Sequence, residues 1–302
     1  MKVGAIDIGT NSMRLLVADV EDGQVEWLDR RTTVTGLGLG VDRSGTLDAA
    51  AVDRTIEVLA GYGSVLTQFS VMATRAVATS ATRDAANRDE FLDRAEAALG
   101  VRPDVITGTE EAALAFAGAT RAAPGAPPYL VIDIGGGSTE FVYGADRPEY
   151  EISIDIGSVR LTDRVLPSRP APVDEMEAAH SLVAELLGAV ELPAVPNTCI
   201  GVAGTFTSLA AINQDLPVYD PGRVHGSRLP MLRIAELVLY LASLSVVETE
   251  QIPSLDPRRA PVVLAGSVIA EHSARTAGVA EVVVSEHDTL DGIALLLGDD
   301  RG

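Results

Sequence analysis

The segment Asp133-Ile-Gly-Gly-Gly-Ser-Thr-Glu140 brings together three kinds of group that handle phosphate. Successive glycines in a hairpin let backbone N–H groups converge on an anion with no Cβ in the way, so Gly135, Gly136 and Gly137 make a phosphate-sized nest. Ser138 and Thr139 add hydroxyl donors. Asp133 and Glu140 flank the nest with hard oxygens suited to Mg2+, which keeps most of its water and bridges phosphate oxygens. The competing reading is a plain glycine turn with two solvated acids. A second copy weighs against it: Ile6-Asp7-Ile8-Gly9 returns as Ile132-Asp133-Ile134-Gly135, 126 residues later. A third loop, Gly201-Val-Ala-Gly204-Thr205, follows the strand-like Thr198-Cys199-Ile200 and leads into a helix, whose N-terminus could receive another phosphate or a nucleotide. Tight turn packing explains that loop equally well. Neither Gly-x-x-x-x-Gly-Lys nor a strand–helix Gly-x-Gly-x-x-Gly is present, which excludes a Walker loop and a dinucleotide fingerprint.

Alternating strands and helices must position these loops. Val3 to Ile8 and Arg14 to Val20 form a hairpin around Gly9. Leu47 to Phe69 has helical spacing with a start near Ser44, and Ser70 to Ala78 reads as a strand. Arg88 to Leu99 is a helix stopped by Gly100, Val105-Ile106 belongs to a short strand, and Glu110 to Thr120 is an Ala-rich helix. Residues 121–128, rich in Pro and Gly, read as a linker. Tyr129 to Ile134 and a strand through Tyr143 then repeat the opening pattern. Two similar hairpins at the heads of two halves predict an α/β protein with a duplicated domain, 1–124 and 125–302, the last helix free to pack back on the first domain, and a cleft between the halves.

Composition agrees with a globular chain. Of 302 residues, 47% are apolar and 22% charged, enough for two cores. Acids outnumber bases 43 to 23, and the net charge of −20 disfavours an extended nucleic-acid or anionic-membrane surface. Lys2 is the sole lysine, a bias that coding composition explains as well as phosphate binding. Cys199 stands alone, which excludes an intrachain disulfide and a Cys-rich metal site. No apolar run approaches the ~18 residues of a membrane span, and a cytosolic product is expected.

Asp7-Ile-Gly-Thr-Asn-Ser12, Ala78-Thr-Ser-Ala-Thr-Arg-Asp-Ala-Ala-Asn-Arg88 and Thr107-Gly-Thr-Glu-Glu-Ala112 resemble the exopolyphosphatase / guanosine pentaphosphate phosphohydrolase (Ppx/GppA) family. Asp133 to Glu140, Gly204-Thr205, Val224-His225-Gly226 and Arg259 to Gly266 continue the likeness, which runs to Ile293. The chain is similar to the short, two-domain actinobacterial members. The resemblance implies two ribonuclease-H-like domains of the actin-like ATPase superfamily around a cleft. It implies Glu111 as catalytic base, Asp133 and Glu140 as ligands of Mg2+ or Mn2+, and Gly135 to Thr139 as one phosphate loop. Thr10, Asn11 and Ser12 would form the other phosphate loop, and Arg83, Gly204, Thr205 and Arg259 would meet further phosphates. Without it, Glu110 and Glu111 read as a solvated helix start. The implied activity is Mg2+-dependent release of the terminal phosphate of inorganic polyphosphate, with guanosine pentaphosphate as the alternative substrate. A small-molecule kinase or a non-catalytic sensor is the remoter reading. A cytoplasmic homodimer without nucleic-acid or membrane partners is implied as well.

The chain departs from the family pattern in two places. Gly36 stands where members often carry arginine, with Arg30 and Arg31 nearby as substitutes, and Ser285 to Gly292 carries extra acids that would disfavour a polyanion. A track of Arg75, Arg83, Arg223, Arg228 and Arg259 is expected to reverse the field locally. His287 reads as a surface-loop residue. His180 and His272 have no partner histidine at ligand spacing, so zinc has little support.

Overall fold

A strict alternation of faces organises the first strand. In the computed structural model, which describes residues 1–121 and 123–299, β1 (Lys2–Ile8) turns Ile6 and Ile8 to one side and Val3 and Ala5 to the other. Ala122 of the expected linker, and residues 300–302 of the expected second domain, lie outside the described residues. The chain continues through β2 (Ser12–Glu21), β3 (Gln24–Val34), α1 (Val41–Ser44), α2 (Ala49–Phe69), β4 (Ala73–Ala78), α3 (Ser80–Asp84), α4 (Arg88–Leu99), β5 (Asp104–Val105) and α5 (Gly108–Arg121). Asp48, not Ser44, caps the long helix α2, its side chain accepting from the Ala51 N–H, and Ser44 ends the short α1.

The second half runs β6 (Tyr129–Ile134), β7 (Thr139–Gly144), β8 (Pro148–Ile154), α6 (Ser158–Val165), α7 (Val173–Leu187), β9 (Thr198–Val202), α8 (Ala203–Asn213) and α9 (Pro221–Val224). It continues with β10 (Arg228–Pro230), α10 (Met231–Ser243), α11 (Val246–Glu250), a 3-10 turn at Pro257–Arg259, α12 (Val263–Thr276) and β11 (Glu281–Val284), before α13 (Thr289–Asp299). Its sheet has the order β10-β11-β9-β6-β7-β8, against β3-β2-β1-β4-β5 in the first. Read from β8, the second sheet repeats the first: two antiparallel pairs, then parallel neighbours, with β10 added antiparallel at the edge. The fold is α/β, with two units built on one repeated sheet pattern.

Contacts divide the chain into Met1–Gly118 with the segment from Asp288, and Ala119–His287. The boundary thus falls inside α5 rather than at 124/125, while the C-terminal helix packs back on the first unit as the expectation allowed. Burial gives the reason. The Val3, Ala5, Leu16 and Ala18 face of the first sheet is apolar, and Leu290, Ile293 and Ala294 of α13 close over it. The opposite face packs on α2 and α4 through Leu59, Leu66, Phe91 and Leu92.

Glycines let α13 lie directly on α5. A Cβ at Gly118 would overlap the Asp288 carbonyl, and a Cβ at Gly292 would overlap the Leu114 carbonyl. Helix propensity alone makes Gly→Ala worth about 1 kcal/mol of gain. Here the overlap is with backbone that cannot rotate away, so the sign reverses. Gly118→Ala and Gly292→Ala should each lower stability, by about 1–3 kcal/mol as for an overpacked core, measured as a fall in the urea midpoint at unchanged m.

Candidate active site

In the first unit the relevant loops leave the carboxyl ends of three parallel strands, where open α/β sheets bind ligands. Thr79 N–H donates to the Ile8 carbonyl (3.2 Å) and Ile106 N–H to the Ala78 carbonyl (3.1 Å), which ties the loops after β1, β4 and β5 together. Thr10 is buried, its hydroxyl 2.8 Å from Ser80 Oγ and accepting from Ala81 N–H at 3.3 Å. The Thr10 hydroxyl thus ties the expected phosphate loop to the start of α3. The Asn11 carbonyl takes the N–H groups of Thr35 and Gly36, and the Ser12 carbonyl takes that of Gly9. Gly38 explains the Gly36-Leu-Gly38 spacing, because a Cβ there would overlap Thr10 Cγ2.

Arg83 donates through Nη1 to the Ile106 carbonyl (3.1 Å), one residue before the cap of α5. That cap separates two acids the sequence left side by side. Glu110 accepts from Thr107 N–H (2.8 Å) and Thr107 Oγ1 (3.0 Å), while its own N–H donates back to Thr107 Oγ1, a capping box. These bonds hold the Glu110 carboxyl below its ordinary value. Glu110 is spent on structure. Glu111, half-buried, is the neighbour with no part in the box.

Asp7 and Asp133 occupy equivalent places with different partners. Asp7 sits opposite Arg14, which donates to its Oδ2 through Nε (2.8 Å) and Nη2. Arg14 also pairs with Asp288, and Arg30 bridges Asp288 (3.1 Å) and Asp291 (2.9 Å) while lying over the Trp27 ring. Burial opposes the Arg30 charge, but Asp288 and Asp291 more than offset it and raise its pKa. Arg30 is thus no substitute for an arginine at position 36, and Arg31 is held by Asp29 at 2.7 Å. Asp288 and Asp291 of the Ser285–Gly292 segment are likewise paired with arginine rather than presented to a polyanion.

The second unit keeps both acids. Asp133 on β6 lies opposite Glu140 on β7, which lies opposite Ser153 on β8. Asp133 is 4% exposed and Glu140 1%. The adjoining loop turns its carbonyls toward α6: Gly135 accepts from Ser158 N–H (3.0 Å), and Gly136 accepts from Val159 and Arg160 N–H (2.9 and 3.1 Å). In a trans peptide the N–H opposes the C=O, so the N–H groups of Gly136 and Gly137 point away from α6. Gly157 makes this packing possible, since a Cβ there would overlap the Gly136 carbonyl. Ser138 and Thr139 are buried, and the Thr139 hydroxyl donates to the Ile156 carbonyl at 2.6 Å. The expected Thr139 hydroxyl is thus not among the loop's available donors, whereas the amides of Gly136 and Gly137 are aimed away from α6.

Gly204, Thr205 and Arg259 do come together. The Arg259 guanidinium lies so close over Gly204 that a Cβ would overlap it, and Thr205 Oγ1 donates to the Ile134 carbonyl at 3.3 Å. Ala203 opens α8 at φ 63°, a left-handed conformation that a non-glycine residue holds only under constraint. Beside Arg259, Tyr219 donates to Glu286, and burial together with that carboxylate pushes the phenol well up. His287 is half-buried and meets His225 edge to face at 5.0 Å, not as a lone surface residue.

Two further expectations change. Of the proposed arginine track, Arg75 is tied to Asp104 and Arg228 to Glu281. His180 and His272 are partners in space though not in sequence, Nδ1 to Nε2 at 2.9 Å between α7 and α12. Among the described residues no group of three or more His, Cys, Asp or Glu could hold a metal. Cys199 is buried, its thiol pushed up to about 12 by burial, and so stays protonated and unreactive.

A family model for the Ppx/GppA phosphatase family matches residues 16–295. The chain belongs to this family. It is 41% identical to exopolyphosphatase 2 of Mycobacterium tuberculosis, with 98% of each chain covered. A crystal structure of an exopolyphosphatase-like protein superposes with a TM-score of 0.94 at 35% identity, covering 99% of both chains. The Ppx/GppA member from Aquifex aeolicus superposes with a TM-score of 0.82 at 31% identity, over 100% of this chain and 99% of that one. No helix among the described residues of this Ppx/GppA chain is long and apolar enough to cross a membrane.

The histidine pair sets a pH dependence. Burial, with His180 and Arg275 nearby, lowers the His272 pKa from 6.5 to about 4. Above 6.5 both folded and unfolded forms are neutral. Between 6.5 and 4 only the unfolded chain takes up the proton, so stability falls as pH falls through that window. Denaturant midpoints across it should decline less in His272→Gln than in the parent. Parallel declines would remove His272 as the cause.

Proposed function

We infer that the chain is an exopolyphosphatase, hydrolysing the terminal phosphoanhydride of inorganic polyphosphate and releasing orthophosphate. The full-length likeness to proteins named exopolyphosphatase supports the reading. The observation that carries it is the buried Asp133–Glu140 pair beside glycine amides that point away from α6. Like charges facing each other across a strand pair are destabilising, and a divalent cation between these two buried carboxylates would relieve that repulsion. Their hard oxygens fit Mg2+ or Mn2+, and a cation held by Asp133 and Glu140 would draw charge from phosphate oxygens.

The chain's own groups supply the rest. Glu111 orients a water and takes its proton as the oxygen attacks phosphorus, while the bridging P–O bond breaks and the shortened chain leaves. The amides of Gly136 and Gly137, with Arg83 and Arg259, donate to non-bridging oxygens where charge develops. Asn11, Ser12, Gly135, Ser138, Gly204 and Thr205 shape the loops that hold these donors. Guanosine pentaphosphate is the second reading, favoured by Arg259 over the first turn of α8, where a further phosphate could rest. A cytoplasmic homodimer with no nucleic-acid or membrane partner completes the proposal.

Glu111→Gln should keep the parent melting temperature and bind substrate, yet lose phosphate release by ~10²–10⁴-fold. Glu110→Gln should weaken the helix cap and keep turnover. Phosphate release is measured side by side on short polyphosphate, long polyphosphate, guanosine pentaphosphate and ATP. Near-parent turnover by Glu111→Gln would overturn the assignment, and preference for guanosine pentaphosphate would install the second reading.

A further inference from the structure

The row that holds Asp133 and Glu140 has a third member. Ser153 lies directly opposite Glu140 on β8 and donates from Oγ to Glu140 Oε1 at 2.7 Å. β8 is an edge strand, so nothing beyond it in the sheet competes for that hydroxyl. The corresponding row in the first unit is Asp7–Arg14–Thr32. There the central residue carries its own positive charge, and Arg14 grips Asp7 with two nitrogens. In the second unit the central residue is an acid, and what fixes its carboxylate plane from the far side is a serine.

We propose that Ser153 is a positioning residue that preorganises Glu140 for a divalent cation shared with Asp133. The proposal rests on the cation reading given above. A glutamate has three side-chain torsions, and one whose carboxylate is not held samples several rotamers, some of which turn it away from Asp133. The Ser153 hydroxyl fixes one oxygen at hydrogen-bond distance and so limits rotation of the group. It also satisfies a carboxylate oxygen that is removed from water, since Glu140 is 1% exposed. Hydrogen bonds to metal-binding carboxylates typically matter 10–100-fold in affinity. Alanine keeps the strand and its backbone ladder intact while removing only Oγ, and threonine restores a hydroxyl with good β propensity.

The test is Mn2+ binding to the full chain, read from the electron paramagnetic resonance signal of free Mn2+, with the Mg2+ dependence of phosphate release measured in parallel. Ser153→Ala should weaken Mn2+ binding by about 10–100-fold and raise the half-saturating Mg2+ similarly, with kcat at saturating Mg2+ close to that of the parent. Ser153→Thr should recover most of the affinity, and the metal-free melting temperatures should agree within a few degrees. Glu140→Gln is the control for the underlying reading and should lose the Mn2+ site. If Glu140→Gln loses Mn2+ while Ser153→Ala binds it as the parent does, Ser153 has no positioning role although the cation reading survives. If Glu140→Gln binds Mn2+ undiminished, the cation reading fails and takes the proposal with it. A loss of kcat at saturating Mg2+ in Ser153→Ala, with Mn2+ affinity unchanged, would also overturn it.

Discussion

A carboxylate buried at the end of a central strand must be neutralised, and this constraint appears twice in the chain. Asp7 and Asp133 end the first strands of the two duplicated hairpins, 3% and 4% exposed. An unpaired buried charge is costly enough that a protein must supply a counter-charge or bind one. The first unit supplies its own. Arg14 neutralises Asp7, and its remaining nitrogen reaches Asp288 at the start of α13. Arg30 then ties Asp288 and Asp291 to the strand beside it. A charge problem at the end of β1 is thereby turned into the anchor of the C-terminal helix, whose apolar face covers the sheet. The second unit instead sets a second acid, Glu140, opposite Asp133. One substitution between the two copies, arginine for glutamate at the facing position, distinguishes a structural clamp from a candidate cation site.

The same economy governs the phosphate loops. Hydroxyls that the sequence offered as donors are turned inward: Thr10 holds α3, Thr139 holds Ile156, and Thr205 holds the end of β6. Their role is to fix the loops. The groups left to face a ligand at Gly136 and Gly137 are amides, aimed by the capture of the Gly135 and Gly136 carbonyls at the start of α6. Such dipoles are already ordered before a ligand arrives, which is the condition for electrostatic stabilisation without reorganisation.

How much of this the sequence disclosed depended on the range of each signal. The hairpins around Gly9 and Gly135 and the helix over Arg88–Leu99 are local patterns, and they stand where the residues predicted them. The duplication was legible because Asp and Gly sit at fixed offsets. β3 was not, because the alternation of Val25 and Trp27 with Gln24 and Glu26 is short and gives way after Leu28 to a polar run. Ser153 was invisible for another reason. Its importance lies in a cross-strand register, and no spacing along the chain encodes which residue faces Glu140. The His180–His272 contact and the Arg30–Asp288 pair, each spanning many residues, are hidden in the same way. The family resemblance singled out Glu111, but only the Thr107–Glu110 box explains why its neighbour is unavailable.

The arginines bring these strands of argument together. A chain with 22 arginines and a net charge of −20 could hold a polyanion by an exposed basic field or by a few placed groups. Arg14, Arg30, Arg31, Arg75 and Arg228 are each committed to a carboxylate. Arg83 combines a longer contact to Asp84 (3.9 Å) with a donation to the backbone carbonyl before α5, and Arg259 lies against a glycine at the start of α8. A broad field would draw in any polyanion, nucleic acid included, and would fade with salt. A guanidinium fixed beside oriented amides instead discriminates by geometry, and it can do so on a chain whose net charge is −20. Net acidity and phosphate chemistry are therefore compatible wherever the backbone itself sets the position of each donor.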